Sequence, residues 1–151
     1  MKKDALESEF LEALTNVSRK IRTAFNQQVM THGLTYPRAR ALLRLARKPS
    51  MNQSELAYEL ELEQPTLVRL LDRMEENGLI ERQPDPGDRR VKLVVLTSLG
   101  EEQAEIVKAV GQDLRERIFS EIGADDLQAS IGLFARIAAN VAELDHADGR
   151  S

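Results

Sequence analysis

The chain has 151 residues, enough for one domain with its own core, and its 30% charged and 42% apolar residues are typical of a globular protein. It has no cysteine and 2 histidines, which excludes disulfides and thiolate metal sites and leaves little for zinc binding or histidine catalysis, so we expect no metal and no cofactor. No apolar stretch approaches the roughly 20 residues of a membrane helix and the first residues lack a signal-peptide core, which predicts a cytoplasmic protein without membrane association.

Charge is distributed unevenly along the chain. The formal net charge is −4, and the acidic excess lies entirely in residues 98–151, while residues 1–33 and 34–97 are each slightly basic. DNA-binding domains are usually basic, so the overall charge argues weakly against nucleic acid as a partner. A polyanion would have to bind the first two thirds of the chain.

The first half of the chain carries clear helix signals. Apolar residues recur every three or four positions over about residues 5–31, which predicts a long amphipathic helix. Pro37 suits the first turn of a second helix, which Pro49 ends. Asn52 followed three residues later by Glu55 resembles a capping box and predicts the start of a short third helix.

The pattern changes after a fourth helix. Pro65 begins this helix, and Gly78 fits the left-handed position just past its end. Two segments with strand-like alternation follow, 79–83 and 91–96, separated by the turn-rich residues 84–90. The sequence therefore predicts a helix-turn-helix followed directly by a hairpin, which is a winged arrangement.

Two further long helices close the sequence. Ser98 and Glu101 form another candidate capping box for a fifth helix that continues to Ile118, and a sixth runs through about 127–141. The first, fifth and sixth helices carry apolar stripes outside the compact middle of the chain. Pairing with the same helices of a second copy would bury these stripes, so we expect a homodimer, with a closed monomeric bundle as the alternative.

The outward positions of the fourth helix suit DNA. Arg69 can offer a guanidinium fork to guanine in a major groove, and Thr66 can contact a thymine methyl group or a phosphate. Arg73 lies on the same face and Gln64 precedes it at the helix start. The alternative is an ordinary solvated face in which Arg73 pairs with a neighbour, namely Asp72, Glu76 or Asn77.

The hairpin tip strengthens the DNA interpretation. Arg89 and Arg90 lie on a protruding turn, and a narrow A·T-rich minor groove attracts such side chains. Asp88 can fix the guanidinium of Arg90 through a bidentate pair. The alternatives are an ordinary charged turn, or an enzyme in which Asp85 and Asp88 hold a metal. Loop aspartates usually form turns, and no base or nucleophile lies nearby, so we expect no enzyme.

Together these segments resemble the winged-helix core of the MarR family of transcription regulators. The resemblance covers roughly residues 34–100 and is carried by Leu34-Thr35, Gln53–Ala57, Glu63–Arg82, the wing Asp85–Arg90 and Leu96-Thr97. Residues 63–69 and the Asp88-Arg89-Arg90 tip are most similar to the SlyA branch of that family.

The resemblance implies a fold class and an organisation. The fold would be mostly α with a small β-wing (α+β), a winged helix-turn-helix lobe with N- and C-terminal dimerisation helices. The lobe would comprise residues 34–97, the dimerisation helices 1–33 and 98–145, and a flexible tail 146–151. Such proteins bind pseudo-palindromic double-stranded DNA as homodimers, with the fourth helix in a major groove and the wing in the adjacent minor groove.

The resemblance also implies roles for individual residues. Base-facing or groove-facing side chains would be Gln64, Pro65, Thr66, Arg69, Arg73, Asp88, Arg89 and Arg90. Phosphate contacts near helix starts would be Arg38, Gln53 and Ser54.

Family members often respond to small aromatic carboxylates or phenolic compounds, bound where the first, second and fifth helices meet. Arg19 and Arg22 resemble arginines near that pocket in the SlyA branch, and a pair of arginines can hold a carboxylate by forked hydrogen bonds. His32 and Tyr36 would line the same region. The alternative is that the two arginines form a solvated helix face.

A different function remains open at the level of sequence. A winged-helix module that assembles with other proteins and binds no DNA would accommodate the net charge of −4 directly. Such a module predicts no joint requirement for Arg69 and Arg90. Binding to DNA also weakens steeply as salt rises, which separates the two functions.

Overall fold

The computed structural model describes residues 2–149 of the chain. Within this range the helices and strands follow the order α1 (Lys3–Met30), α2 (Tyr36–Arg47), β1 (Met51–Asn52), α3 (Gln53–Leu60), α4 (Gln64–Glu76), β2 (Ile80–Pro84), β3 (Lys92–Leu96), α5 (Ser98–Ile118) and α6 (Ala124–Asp148). The predicted fold class, mostly α with a small β-wing, is confirmed.

Local side-chain caps explain where the short helices begin. Thr35 accepts a hydrogen bond from the backbone N–H of Arg38 (3.4 Å) at the start of α2, and Pro37 occupies its first turn. At the start of α3, Asn52 Oδ1 accepts from the N–H of Glu55 (2.7 Å) while Asn52 Nδ2 donates to the Glu55 carboxylate (2.6 Å). The predicted start of α3 at Asn52 is therefore confirmed, with the difference that Glu55 returns its hydrogen bond to the side chain of Asn52 and not to its backbone N–H.

The predicted capping box of α5 is wrong by one residue. Ser98 already lies within the helix, and the hydroxyl of Thr97 accepts the N–H of Gly100 (3.1 Å). Thr97 directly follows β3, so one residue closes the sheet and caps the helix that comes after it. Serine and threonine are both favoured as N-cap residues, so the sequence alone does not distinguish Ser98 from Thr97. The end of β3 at Leu96 makes Thr97 the cap.

The sheet has three strands, whereas the sequence predicted a two-stranded hairpin. The strand order is β1-β3-β2, with both pairs antiparallel. In β1, Met51 lies opposite Val94 and Asn52 lies opposite Leu93. Two residues are too few to produce an alternating pattern, so β1 left no signal in the sequence.

The core lies between the helices of the lobe and the sheet. It is formed by side chains that are almost completely shielded from solvent and that come from α2, α3, α4, β2, β3 and parts of α1 and α5: Val29, Leu42, Leu45, Leu56, Leu60, Leu67, Leu71, Met74, Ile80, Val94 and Val107. Burial of each such side chain contributes roughly 1.5–3 kcal/mol relative to exposure. This packing fixes α4 and the base of the hairpin in one framework.

The chain divides into two compact units, one ending at Leu114 and the other beginning at Arg115. This division lies inside α5. Helix α6 extends to Asp148, so residues 146–148 of the segment assigned to the tail are helical, while residues 150 and 151 lie outside the described range. None of the helices in the described part is both long and apolar enough to cross a membrane.

Two glycines shape the junction between α4, β2 and α5. Gly78 follows α4 with φ of +74°, the left-handed conformation predicted for it. Gly100 in the first turn of α5 is buried against Leu79, and a Cβ at this position would overlap the carbonyl oxygen of Leu79. Thr97 donates its N–H to the same carbonyl (3.0 Å) and its hydroxyl to the carbonyl of Gly78.

Replacing Gly100 by alanine should therefore destabilise the protein by about 1–3 kcal/mol, because the backbone of Leu79 cannot yield as a flexible side chain would. Urea unfolding at fixed protein concentration measures this effect. Gly132→Ala, in the middle of α6, is the matched control, since a Cβ added there would meet no neighbouring element within 4 Å. Equal unfolding midpoints for the two variants would contradict the proposed close approach.

Candidate nucleic-acid interface

Helix α4 separates its side chains into a buried and an exposed face. Leu67, Leu71 and Met74 are fully buried and recur at the helical spacing of three and four residues. The opposite positions are solvent-exposed, and they include every residue of this helix that the sequence singled out: Gln64, Pro65, Thr66, Arg69 and Arg73. The structure thus presents these residues together on one helix.

The arginines of this face form no ion pair within residues 2–149. Asp72, considered as a partner of Arg73, instead binds Arg82 with an Nη2–Oδ1 distance of 2.6 Å. Arg69 and Arg73 therefore keep guanidinium groups that are free to meet a ligand. The pairing of Arg73 with Asp72 that the alternative interpretation included is not formed, while the face itself is exposed to solvent.

Arg82 connects β2 to α4 through two carboxylates. Its Nε donates to Glu75 and its Nη2 to Asp72, both at 2.6 Å, and the side chain of Arg82 is only 23% exposed. Burial alone would lower the pKa of Arg82, but the hydrogen bonds and charges of Glu75 and Asp72 outweigh it, so its pKa is raised. The guanidinium thus stays charged and fixed.

The tip of the hairpin between β2 and β3 is built by two aspartates. Asp85 accepts the N–H of Gly87 (2.7 Å), and its own N–H donates to the carbonyl of Val91 (2.9 Å). Asp88 accepts the N–H of Arg90 at 3.1 Å and its Nε at 3.2 Å, with Arg90 Nη2 3.5 Å from the second carboxylate oxygen. The side chain of Arg90 nevertheless remains 92% exposed.

The aspartates of the hairpin tip orient Arg90 and shape the turn. The predicted Asp88–Arg90 pair is present, and an ion pair this exposed contributes little to stability. It restricts the direction of the guanidinium while leaving most of it accessible. The two aspartates shape the turn, and the described residues contain no group of three or more side chains suited to binding a metal.

The three predicted phosphate contacts lie at the starts of α2 and α3. Arg38 is half-buried in the first turn of α2, whereas Gln53 and Ser54 are the first two residues of α3. Arg38 Nε and Gln53 Oε1 are buried and have no hydrogen-bond partner in the described part of the chain. Helix starts present unpaired backbone N–H groups, which suit an anion.

The four predicted effector residues are not gathered in one cavity. Tyr36 packs edge-on against Phe25 at a ring-centroid distance of 5.9 Å, and it lines a small cavity with Pro37, Leu60 and Leu62. The lining of that cavity does not include Arg19, Arg22 or His32, which are all exposed. Arg19 instead donates to Asn16 Oδ1 (2.9 Å).

Two arginines were missed from the sequence. Arg40 lies over the ring of Tyr36, with its Cζ 5.6 Å from the ring centroid, and donates to the carbonyl of Leu60 (2.9 Å). Arg82 holds the α4–β2 contact described above. The only signal for Arg82 is its place on the hairpin next to a helix with two acidic residues one turn apart, which is recognisable only once the strand and helix are known to be neighbours.

Comparison with known proteins adds an independent finding. The family model for the MarR family matches residues 34–92. The solved transcriptional regulator PA3341 is 32% identical, with a TM-score of 0.82, covering 89% of this chain and 98% of that protein.

Two other similar structures contain DNA. The transcriptional repressor CouR, bound to a 23-mer DNA duplex, is 29% identical with a TM-score of 0.77, covering 91% of this chain and 98% of that one. A mutant MarR from E. coli complexed with operator DNA is 25% identical with a TM-score of 0.78, covering 91% of this chain and 99% of that one.

Proposed function

This chain belongs to the MarR family, and we propose on that basis that it is a dimeric, sequence-specific DNA-binding transcription regulator. The observation that carries the proposal is the exposure of unpaired arginines on α4 together with an oriented arginine on the hairpin of the same lobe. The DNA complexes of CouR and of the E. coli MarR mutant support DNA as the partner. Within the family, the Asp88-Arg89-Arg90 tip supports a place near the SlyA branch.

In the proposed complex, α4 enters a major groove. Arg69 offers its fork to a guanine edge, and Arg73 reaches a base or a phosphate. Gln64, Pro65 and Thr66 lie in the first turn of the helix, where base and phosphate contacts are made by helix-turn-helix proteins.

The wing then enters the adjacent minor groove. Arg90 is inserted in the direction that Asp88 sets, and Arg89 lies beside it. Arg38, Gln53 and Ser54 contact phosphates at the starts of α2 and α3, which fixes the register of the lobe on the duplex without reading sequence.

Arg69→Ala should weaken binding to a selected duplex by about 1–3 kcal/mol and relax the preference at one base position. Arg90→Ala should weaken binding by a similar amount, most strongly where the flanks are rich in A·T pairs. Fluorescence anisotropy on a duplex enriched from random sequence, at two salt concentrations, measures both effects.

Lys108→Ala on α5 removes the same charge from an exposed side chain outside the lobe and is the control. If Arg69→Ala and Arg90→Ala both bind as tightly as the unchanged protein, the docking model is wrong. If the unchanged protein binds DNA without sequence selectivity and its affinity does not fall as salt rises, the alternative function is favoured, a winged-helix module for assembly with proteins.

The proposed homodimer is supported by exposed apolar side chains on the long helices. On α1 these include Leu6, Val17 and Ile21, and on α6 they include Ile131 and Val141. Contiguous apolar stripes of this kind usually mark an interaction surface. A two-fold dimer would also present two α4 helices to the two halves of a pseudo-palindromic site.

Sedimentation analysis should therefore give a mass of about 34 kDa, twice the 17.0 kDa of one chain. Val17→Glu should shift the equilibrium toward the monomer, because a carboxylate would be buried in the interface. Tyr58→Glu is the control, since Tyr58 is a large exposed side chain on α3 of the lobe. A monomer at all concentrations for the unchanged protein would contradict the proposal.

We also propose that a small aromatic carboxylate or phenolic compound modulates DNA binding. Support comes from Tyr36 and its neighbour Arg40, which together offer an aromatic face and a cation beside a small cavity. Arg19, Arg22 and His32 do not line this cavity and are not part of the site proposed here. A ligand shifts the equilibrium between binding-competent and incompetent arrangements only by its difference in affinity for the two.

Titration of the protein–DNA complex with benzoate and phenol derivatives tests the effector. At saturating ligand we expect affinity for DNA to fall about fivefold to 150-fold, the range usual for allosteric coupling. Tyr36→Ala should reduce this response, while Tyr58→Ala should leave it unchanged. An equal response in both variants would exclude Tyr36 from the ligand site.

Two further assignments follow from the proposed function. We assign no enzymatic activity to this chain, because MarR-family regulators generally act by binding. A regulator of transcription acts where the DNA is, so we assign the protein to the cytoplasm.

A further inference from the structure

The outer half of strand β2 is held by its pairing with β3 and by one side chain that contacts α4. Ile80 at the start of β2 is buried, whereas Glu81, Gln83 and Pro84 are exposed. Arg82 is the one partly buried residue beyond Ile80 in this strand, and its guanidinium binds Asp72 and Glu75 of α4. The hairpin tip with Arg90 begins immediately beyond this point.

We propose that Arg82 is a positioning residue for DNA recognition: its fork to Asp72 and Glu75 sets the position of the wing, and hence of Arg90, relative to α4. The proposal rests on the DNA-binding function proposed above. It assigns Arg82 no contact with DNA.

The geometry of the fork is suited to this role. Asp72 and Glu75 are three residues apart and therefore share one face of α4. Each carboxylate engages a different nitrogen of the same planar guanidinium at 2.6 Å, so both the distance and the rotation of the strand are restrained. Lysine carries the charge but lacks this planar pair of donors.

The contacts of Arg82 with α4 matter most at the hairpin tip, because a rotation of β2 displaces the distant tip more than the strand itself. Strands rise by about 3.3 Å per residue, so side chains at the tip lie roughly 10 Å or more beyond the fork. A small rotation of β2 at Arg82 is therefore enlarged at Arg90. The opposite strand is restrained mainly near its buried residue Val94, which pairs with both Arg82 and Met51.

The fork has a second effect, on charge. Asp72 and Glu75 belong to the same helix as Arg69 and Arg73, and unpaired carboxylates there would repel phosphates. Arg82 binds both carboxylates, and its single positive charge compensates one of their two negative charges. Positioning and charge compensation must therefore be separated by experiment.

Stability is a poor measure of the fork, because Asp72 and Glu75 remain about half exposed and exposed ion pairs contribute little. Coupling to Arg90 is the informative readout. We expect Arg90→Ala to lower affinity for a selected duplex about tenfold in the unchanged protein, but less than about threefold when Arg82→Gln is also present. Arg69→Ala should lower affinity for the duplex by the same factor in the unchanged protein and in Arg82→Gln, because the core residues of α4 hold Arg69 independently of Arg82.

Three variants complete the cycle. Arg44→Gln removes a looser ion pair with Glu59 (4.0 Å) in the same lobe and should leave the effect of Arg90→Ala unchanged. Arg82→Lys keeps the charge and should still reduce the coupling. Arg82→Gln combined with Asp72→Asn and Glu75→Gln removes all three charges, and full recovery of the coupling in this variant would overturn positioning in favour of charge compensation.

A measurement without DNA keeps the two proposals distinguishable. The chain has no cysteine, so Arg89→Cys and Glu76→Cys allow spin labels to be placed on the wing tip and at the end of α4 only. Pulsed electron–electron double resonance measures the distance between the two labels. We expect a narrow distribution of this distance in the otherwise unchanged protein and in Arg44→Gln, and a broader one in Arg82→Gln. An unchanged distribution in Arg82→Gln overturns the positioning role. The remaining outcome is that Arg82→Gln broadens the distance distribution while the unchanged protein enriches no duplex from random sequence. That outcome would confirm the restraint on the wing and reject the proposed function.

Discussion

The apolar face of α4 is the constraint on which the candidate interface depends. Leu67, Leu71 and Met74 have no exposed surface, and their spacing leaves only one rotation of the helix that buries all three. Arg69 and Arg73 are exposed because the core takes the other face. Turning the helix by one residue would bury an arginine without a partner, which costs far more than a lost methyl contact. The chemistry of the surface is thus set by the packing beneath it.

The wing follows a different physical rule. The core reaches Ile80 and Val94, and beyond these residues the hairpin is held by strand pairing, the Arg82 fork and the turn hydrogen bonds of Asp85 and Asp88. Individually, such exposed polar contacts contribute much less than the burial of a leucine. A firmly packed helix and a lightly restrained hairpin therefore lie side by side in the same lobe. This combination suits a major groove read by direct contacts and a minor groove that varies in width.

How much the sequence predicts depends on whether a signal is local. Pro37, the Asn52 cap and Gly78 each act within four residues of their own position, and all three were predicted correctly. Strand β1 was missed because its two residues acquire meaning only by pairing with Val94 and Leu93. The cap of α5 was misplaced by one residue because the end of β3, and not the residue type, selects Thr97.

Local signals also decide which residues of the candidate site are predictable. The exposure of the α4 arginines follows from helical periodicity, and the Asp88–Arg90 pair follows from turn chemistry. Arg82 and Arg40 were missed because their partners lie on other elements, which meet them only in the folded lobe.

The acidic net charge of the chain is compatible with this interface once pairing is counted. Charges in solution at physiological salt are screened over about 8 Å, so the potential at a guanidinium depends on its close neighbours and not on the total of −4. On α4 the carboxylates of Asp72 and Glu75 are already engaged by Arg82, which leaves Arg69 and Arg73 as unpaired charges beside them. A neutral residue at position 82 would leave both carboxylates unpaired beside these two arginines, whose positive charges they would then offset. Arg82, which contacts no ligand in the proposed complex, thus lowers the negative charge beside Arg69 and Arg73 on the helix that would face the phosphate backbone.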